Sequence, residues 1–220
     1  SVYDCAEALE EPEQFLGKIE KECGWADAVV LGPGLGKEPW AVRLVQQVLL
    51  SAFVPIVLDA DGLNIVAENP SLSEYFTENV LVTPHVGEMA RLSGLEIEEI
   101  QADLTKAAED YSEKYGVIIV LKDAATVVVR KDEPIYINSS GCAAMAKAGS
   151  GDVLTGVLAA LIAMGMEEGQ AAVLGVYLHG LAGEAAEKAL GENGVLARDL
   201  ADSLADVERE EAVCGRKKRT

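Results

Sequence analysis

Asp152 is the residue whose neighbours most clearly suggest chemistry, because it follows Gly149-Ser150-Gly151 and lies at the start of the apolar run DVLTGVLAALIAM. A helix beginning here leaves its first N–H groups without intrahelical partners, and its macrodipole places partial positive charge there. Flanking glycines would let a phosphate approach those groups closely. A carboxylate would repel that phosphate unless it acts as a base toward an attacking hydroxyl, with Mg²⁺ balancing the charge. The plainer alternative is that Ser150 or Asp152 only caps the helix.

Four further clusters of glycine and polar residues each follow a short apolar segment. They are GPGLG (32–36), DADGLN (59–64), TPHVGE (83–88) and KDAAT (122–126). In open α/β sheets, ligands bind in the crevice outside the carboxyl ends of the strands. We therefore expect these clusters and the Asp152 turn to line one crevice.

Each cluster also has a simpler interpretation when taken alone. The glycine patterns match neither the dinucleotide-binding fingerprint nor a Walker A loop, and GPGLG is also typical of an ordinary strand-to-helix turn. DADGLN lacks the glycine spacing of an EF-hand, and Asp59, Asp61 and Asn64 would cap backbone N–H groups in an Asx-type turn. Lys122 is either a snorkelling lysine at a strand end or a cation directed at a phosphate.

The chain contains two histidines with different surroundings. His85 follows a proline in a predicted loop, which favours a functional role. His179 lies in the apolar helical pattern VLGVYLHGLAGEAA, which favours a hydrogen-bonded core histidine.

Apolar segments alternate with helical patterns along the chain. The predicted strands are 27–31, 55–59, 79–83, 116–122, 126–130 and 134–138, with the last two in an antiparallel hairpin. The predicted helices are 38–52, 99–115, 152–164, 168–190 and 196–208. Continuous apolar strands between helices indicate a mostly parallel sheet with helices on both faces, in a single α/β domain over 1–220.

The composition excludes several classes of partner. Lys and Arg number 18 against 37 Asp and Glu, so the formal charge is 18 − 37 = −19 and the surface repels nucleic acid and anionic membranes. The four cysteines have neither the spacing of a zinc site nor that of a disulfide framework, which fits a reducing, cytoplasmic location.

The two ends of the chain differ from the middle. About 26 acidic, helix-favouring residues precede the first predicted strand, so this segment either packs as an outer helix or indicates a piece of a longer domain. The basic ending GRKKRT predicts a solvated, flexible tail over 209–220.

Taken together and in order, these motifs resemble the nucleotide-dependent NAD(P)H-hydrate dehydratases of the ribokinase-like superfamily. The resemblance rests on GPGLG, DADGLN, TPHVGEMARL, LKDAATVVV, MAKAGSGDVLTGVLAAL and LGVYLHGLAGEAA, and it covers about residues 27–205. It implies a three-layer α/β/α fold and ADP- or ATP-driven dehydration of (S)-NAD(P)HX. In that reaction the 6-hydroxyl of the nicotinamide ring is phosphorylated and phosphate is then eliminated, with Mg²⁺ accompanying the nucleotide.

The resemblance also implies roles for individual residues. Asp152 would be the catalytic base, and the backbone of Gly149, Ser150 and Gly151 would form the anion hole. The nucleotide would contact Gly151 and the segment Lys122, Asp123, Ala124, Ala125 and Thr126. The hydrated dinucleotide would contact Gly34, Asn64, His85 and Asp152. No residue is assigned to a metal, and the family resemblance suggests a homo-oligomer, with a tetramer expected.

Three departures from the family pattern bear on these roles. Lys122-Asp123 stands in place of Lys-Gly, Ala148-Gly149 in place of Gly-Gly, and Cys142–Ala143 where Asn and Pro are usual. Ala148 requires a negative φ, and Asp123 adds repulsion beside a phosphate site. Family members also begin with a further strand–helix unit, so we expect an N-terminally truncated piece of the domain.

Two other functions are compatible with the same residues. A small-alcohol (vitamin-precursor) kinase of this superfamily would share the Asp152 site but would not need TPHVGE. A non-catalytic nucleotide-binding protein would retain the anion hole without turnover.

Overall fold

The computed structural model describes residues 10–51 and 53–217, with side chains described through residue 207. Six strands form one sheet in chain order, with β1 to β4 parallel and both β5 and β6 antiparallel to their neighbours. They are β1 (Val29–Leu31), β2 (Ile56–Leu58), β3 (Val80–Val82), β4 (Ile118–Leu121), β5 (Val127–Val129) and β6 (Tyr136–Ile137). The predicted α/β class, the mostly parallel sheet and the final hairpin are confirmed.

Helices cover both faces of this sheet within the described ranges. They are α1 (Pro12–Cys23), α2 (Pro39–Ser51), α3 (Ala60–Glu68), α4 (Val86–Ser93), α5 (Ile97–Ala102), α6 (Leu104–Tyr115), α7 (Ser150–Ala163), α8 (Glu168–Leu190) and α9 (Ala197–Lys217). Two short 3₁₀ helices occupy Pro70–Tyr75 and Ala143–Met145. No helix in the part of the chain with an assigned structure is long and apolar enough to span a membrane.

Successive side chains along each strand point to opposite faces of the sheet, so the core consists of two layers. In β4, Ile119 and Leu121 belong to a buried cluster with residues of α1 to α6, whereas Ile118 and Val120 belong to one with α7 and α8. Strands buried on both faces need apolar residues at every position, which explains the continuous runs in the sequence. The result is the predicted three-layer α/β/α arrangement.

The acidic segment before the first strand includes α1, whose Phe15, Ile19 and Cys23 are buried. α1 packs on α2 and is therefore an outer helix, as one of the two expectations proposed. Residues 1–9 lie outside the described residues.

Two predicted helix boundaries were wrong. The helix expected over 99–115 is divided into α5 and α6 by Asp103, which has φ −152° and ψ 86° and accepts a hydrogen bond from the Lys106 N–H as the N-cap of α6. The last helix continues to Lys217 instead of ending near 208. Glu, Arg, Ala and Lys dominate its end and have high helix propensity, which explains the longer helix. The flexibility expected of residues 209–220 stays a prediction.

Candidate active site

The strand-end clusters come together at one edge of the sheet, where direct hydrogen bonds connect them. Gly36 of GPGLG donates its N–H to Asp61 Oδ2 at 2.9 Å, and Arg91 Nε of α4 donates to Asn64 Oδ1 at 2.8 Å. The Lys122 N–H donates to the Pro84 carbonyl at 2.8 Å. The predicted convergence of the four clusters is thus a feature of the fold.

The glycines of the first two clusters pack against each other. Gly32 has φ +126°, and a Cβ there would lie 1.9 Å from the Asp59 carbonyl oxygen. Reciprocally, a Cβ on Gly62 would lie 2.8 Å from the Leu31 carbonyl oxygen. Only glycine permits this approach, because a side chain on either residue would overlap the opposite backbone.

Helix α7 begins at the same edge without a cap. Its N-cap, Gly149, is in the left-handed region at φ +88° and makes no side-chain cap hydrogen bond. The N–H groups of Gly151 and Asp152 donate to no acceptor among the described residues, whereas the Ser150 N–H donates to the Lys147 carbonyl. The alternative that Ser150 or Asp152 caps this helix is wrong, and two donors at the positive end of the macrodipole remain free to bind an anion.

Asp152 is exposed at this helix end, and it makes no hydrogen bond or ion pair with any residue whose side chain is described. A carboxylate in this position can accept a proton from a bound hydroxyl without first breaking a structural contact. Ser150, by contrast, is buried with 7% of its surface exposed.

Lys122 pairs with a buried carboxylate at the base of the crevice. Its Nζ donates to Asp59 Oδ1 at 2.8 Å, and Asp59 is only 2% exposed. A Cβ placed on Gly151 would lie 3.4 Å from this Nζ, so the ammonium lies beside the first turn of α7. Lys122 is therefore not a snorkelling lysine. Its charge is directed inward, next to the free N–H groups.

The rest of the predicted nucleotide segment is a loop. Asp123, Ala124 and Ala125 are exposed in a bend after β4, and their side chains make no hydrogen bond or ion pair with any described residue. Thr126 is half-buried, and its carbonyl accepts from the Asn138 N–H. The loop is covalently continuous with Lys122, but no described contact joins it to Gly149–Gly151.

The other three predicted substrate residues, Gly34, Asn64 and His85, belong to the first three strand-end clusters, and His85 forms a parallel β-bridge with Lys122 where this loop begins. Gly34 is exposed with φ +67°, and nothing lies within 4 Å of the space that a side chain would fill. Asn64 is half-buried and held by Arg91. His85 is exposed and is the N-cap of α4, where its Nδ1 accepts from the N–H groups of Gly87 and Glu88.

Two departures from the family pattern have clear structural settings. Ala148 is not among the described residues with positive φ, which outside glycine are Ala60 and Asp132. It is also exposed, so the alanine fits this backbone without strain. Cys142 is half-buried, and burial raises the pKa of its thiol above the ordinary value.

The Asx-turn interpretation of DADGLN was wrong, since its side chains reach other elements. Asp59 occupies the N-cap position of α3 but makes no cap hydrogen bond, and instead it accepts from Lys122 and from Thr155 Oγ1, the latter at 2.7 Å. We missed Asp59 and Thr155 as site residues. The available signals were an Asp directly after a wholly apolar strand and a single Thr inside the apolar run of α7.

His179 lies near the start of α7. Burial lowers its pKa to about 4, with a smaller raising contribution from the Ser150 backbone and a lowering one from Lys122. Its Nε2 has no hydrogen-bond partner among the described residues, so the expected hydrogen-bonded core histidine is buried and neutral but only partly satisfied.

Comparison with known proteins identifies the family of this chain. The family model of NAD(P)H-hydrate dehydratase matches residues 5–206. The bifunctional NAD(P)H-hydrate repair enzyme of Moorella thermoacetica is 43% identical over 178 residues, which cover 81% of this chain and 34% of that enzyme. The chain thus spans about a third of the length of this curated relative.

Solved structures give the same result for the fold. The ADP/ATP-dependent NAD(P)H-hydrate dehydratase of Bacillus subtilis, crystallised with ATP and Mg²⁺, superposes with a TM-score of 0.73 at 30% identity, covering 87% of this chain and 69% of that one. A ribokinase-like superfamily protein of Enterococcus faecalis superposes with a TM-score of 0.74 at 27% identity, covering 91% and 68%. The fold is ribokinase-like, and the chain belongs to the NAD(P)H-hydrate dehydratase family.

Proposed function

We propose that this chain catalyses the ADP- or ATP-dependent dehydration of (S)-NAD(P)HX to NAD(P)H, a lyase reaction of metabolite repair. The observation that carries the proposal is the uncapped start of α7, with an exposed and unpaired Asp152 two residues beyond the free helix end. Family membership supplies the substrate class.

The transferring phosphoryl group binds at the turn Gly149–Gly151, where the N–H groups of Gly151 and Asp152 are free to donate to it. Free N–H groups and the helix macrodipole stabilise the charge on its oxygens. The Lys122 ammonium, paired with Asp59, lies next to Gly151 and faces the same phosphoryl group. The nucleotide's phosphates lie along the segment from Lys122 to Thr126, where the exposed loop leaves room for them.

Asp152 removes the proton from the 6-hydroxyl as that oxygen attacks the terminal phosphorus, and the bond from phosphorus to the nucleotide's bridging oxygen breaks. Phosphate is a far better leaving group than hydroxide. The lone pair of the ring nitrogen then expels it, and a proton leaves the neighbouring ring carbon. The net result is loss of water coupled to hydrolysis of one phosphoanhydride bond.

The hydrated dinucleotide occupies the side of the crevice formed by Gly34, Asn64 and His85. The absence of a side chain at Gly34 leaves space for it. His85 Nδ1 is used as an acceptor within α4, so in the neutral ring the proton is on Nε2, which can donate to the ligand.

Mg²⁺ enters with the nucleotide in this proposal. Among the described residues no group of three or more His, Cys, Asp or Glu side chains can hold a metal ion. Mg²⁺ commonly uses substrate phosphates and few protein ligands, and we assign no residue of this chain to it.

We also propose a cytoplasmic homo-oligomer, with a tetramer expected. Large apolar side chains exposed in the described chain, including Trp25 at 73% and Phe53 at 92%, support association. Light scattering coupled to size-exclusion chromatography tests the subunit number.

The decisive experiment incubates the chain with hydrated NADH or NADPH plus ADP or ATP and follows the near-ultraviolet absorbance of the reduced ring. Nucleotide-dependent recovery of that absorbance is the expected result. A vitamin-precursor kinase would consume ATP with an alcohol and give no recovery, and a non-catalytic binder would bind nucleotide without consuming it.

A further inference from the structure

Asp59 directs its carboxylate away from its own helix. It lies at the end of β2, in the N-cap position of α3, yet no cap hydrogen bond forms. Instead Oδ1 accepts from Lys122 Nζ at 2.8 Å and Oδ2 accepts from Thr155 Oγ1 at 2.7 Å. Its partners are 63 and 96 residues away in sequence, so this one carboxylate joins β2, β4 and α7.

The Asp59 carboxylate is buried, and Lys122 and Thr155 both donate hydrogen bonds to it. At 2% exposure an isolated carboxylate would be strongly unfavourable, and the ammonium and hydroxyl compensate for its lost hydration. Thr155 Oγ1 also lies 3.0 Å from the Gly151 carbonyl oxygen. Asp59 is thereby connected to the first turn of α7 through a single side chain.

The ammonium of Lys122 would not remain beside α7 without this carboxylate. The helix start carries partial positive charge, and a lysine next to it is repelled. Lys122 is 20% exposed and has a flexible stem, so an unpaired ammonium would turn toward solvent. Asp59 Oδ2 would lie 3.8 Å from a Cβ on Gly151, so the carboxylate is close to both positive groups.

We propose that Asp59 is a positioning residue that holds Lys122 Nζ and the first turn of α7 in register with the transferring phosphoryl group. This inference rests on the proposed function. Asp59 does not contact the phosphate, and its own negative charge weakens the attraction for anions. Its removal therefore lowers the rate of phosphoryl transfer and leaves nucleotide affinity unchanged or higher.

The first test is Asp59→Asn, which keeps the side-chain shape and removes the charge. We expect kcat to fall by about 100-fold, as for a misplacement of about 1 Å, with the nucleotide Kd from calorimetry unchanged or lower. A kcat within about two-fold of the wild type, or a kcat and affinity that fall together in a folded protein, would overturn the proposal. Glu68→Gln is the control, because Glu68 pairs with Lys37 at 2.6 Å on the exposed surface and should leave both values unchanged.

Thr155 provides a second variant that keeps every charge. Thr155→Val removes the hydroxyl that joins Asp59 to α7, and Thr155→Ser retains it. We expect kcat to fall about ten-fold in the first and to be near the wild-type value in the second. Equal rates in the two variants would exclude this connection, even if Asp59→Asn failed to fold.

A readout without turnover separates this inference from the proposed function. Acylation of Lys122 by an amine reagent, followed by mass spectrometry, should be slowed by ADP in the wild type. In Asp59→Asn that protection should be lost, because the ammonium no longer lies at the phosphate site. Loss of protection in a protein without dehydratase turnover would contradict only the proposed function, whereas equal protection in both proteins would contradict the role of Asp59.

Discussion

Helices α4 and α7 share a glycine and an acidic residue in their first turn, but the acidic residue has a different role in each helix. The sequence His85-Val86-Gly87-Glu88 and the sequence Gly149-Ser150-Gly151-Asp152 both place glycine at the second helical position and an acid at the third. In α4 the acid turns back, and Glu88 Oε2 accepts from the His85 N–H at 2.8 Å in a capping box. In α7 Asp152 is exposed and unpaired within the described residues.

The difference arises at the N-cap. His85 has φ −81° and ψ 169°, the extended conformation that a capping box requires, and its ring satisfies two N–H groups. Gly149 has φ +88° and no side chain, so it offers no acceptor. An acid at the third position thus stabilises the helix when the N-cap is extended, and is free for chemistry when the N-cap is a left-handed glycine.

The largest effect should follow loss of the free acid. Asp152→Asn should lower kcat by about 10³-fold, within the range for general-base catalysis, because the amide cannot accept the hydroxyl proton and the nearby Asp59 carboxylate is already paired with Lys122 and Thr155. Nucleotide binding should survive, and unfolding free energy should change by less than about 1 kcal/mol, since only a charge–dipole interaction is lost. Turnover assays and calorimetry measure these quantities, and a rate near that of the wild type would remove Asp152 from the mechanism.

A pH dependence of stability should follow from the burial of His179 in α8. The pKa of His179 falls from 6.5 to about 4 on folding, so the unfolded state binds a proton first as pH decreases. Its contribution is present above pH 6.5 and is lost as pH falls toward 4, by up to about 3 kcal/mol. Denaturant unfolding of the wild type and of His179→Asn across this range should show the stability difference shifting in favour of the variant by about that amount. A constant difference would contradict a neutral buried His179.

Replacing Gly149 with a residue that disfavours the left-handed conformation should destabilise the start of α7. In Gly149→Ala a Cβ would lie 3.0 Å from the Ala197 side chain, and φ +88° is strained for alanine. We expect a loss of about 2 kcal/mol in unfolding free energy together with weaker nucleotide binding. The matched control is Gly156→Ala in the middle of the same helix, where no atom lies within 4 Å, and it should raise stability by roughly 0.5–1 kcal/mol. Equal effects of the two variants would contradict a special role for the Gly149 conformation.

The smallest effect should come from opening the capping box of α4. Glu88→Ala removes the acceptor for the His85 N–H and should cost about 1 kcal/mol in unfolding free energy. Because Glu88 is 6% exposed and takes part in no proposed step, kcat should fall much less than in Asp152→Asn. A larger fall in kcat than in Asp152→Asn would reverse the contrast between the two helices.

The sequence was sufficient for the sheet class, the order of the elements and the convergence of the strand-end clusters, because these follow from apolar periodicity and from the topology of parallel strands. Tertiary partners were not predictable from local patterns. Asp59 has the residue type and spacing of a local turn, and only the fold shows that its carboxylate meets Lys122 and Thr155. Similarly, the break at Asp103 depends on one residue adopting a non-helical conformation inside an otherwise helical pattern.

The mutual approach of Gly32 and Gly62 has a consequence for how this crevice adapts to its ligands. The two backbones pack closely, and the Gly36 N–H donates to Asp61. We therefore expect the first two strand-end loops to move together as one rigid unit. Such a unit cannot close over a ligand through the movement of one of its loops alone. We expect adjustment to ligands in the exposed loop Asp123–Ala125, and therefore ligand-dependent changes in its amide hydrogen exchange.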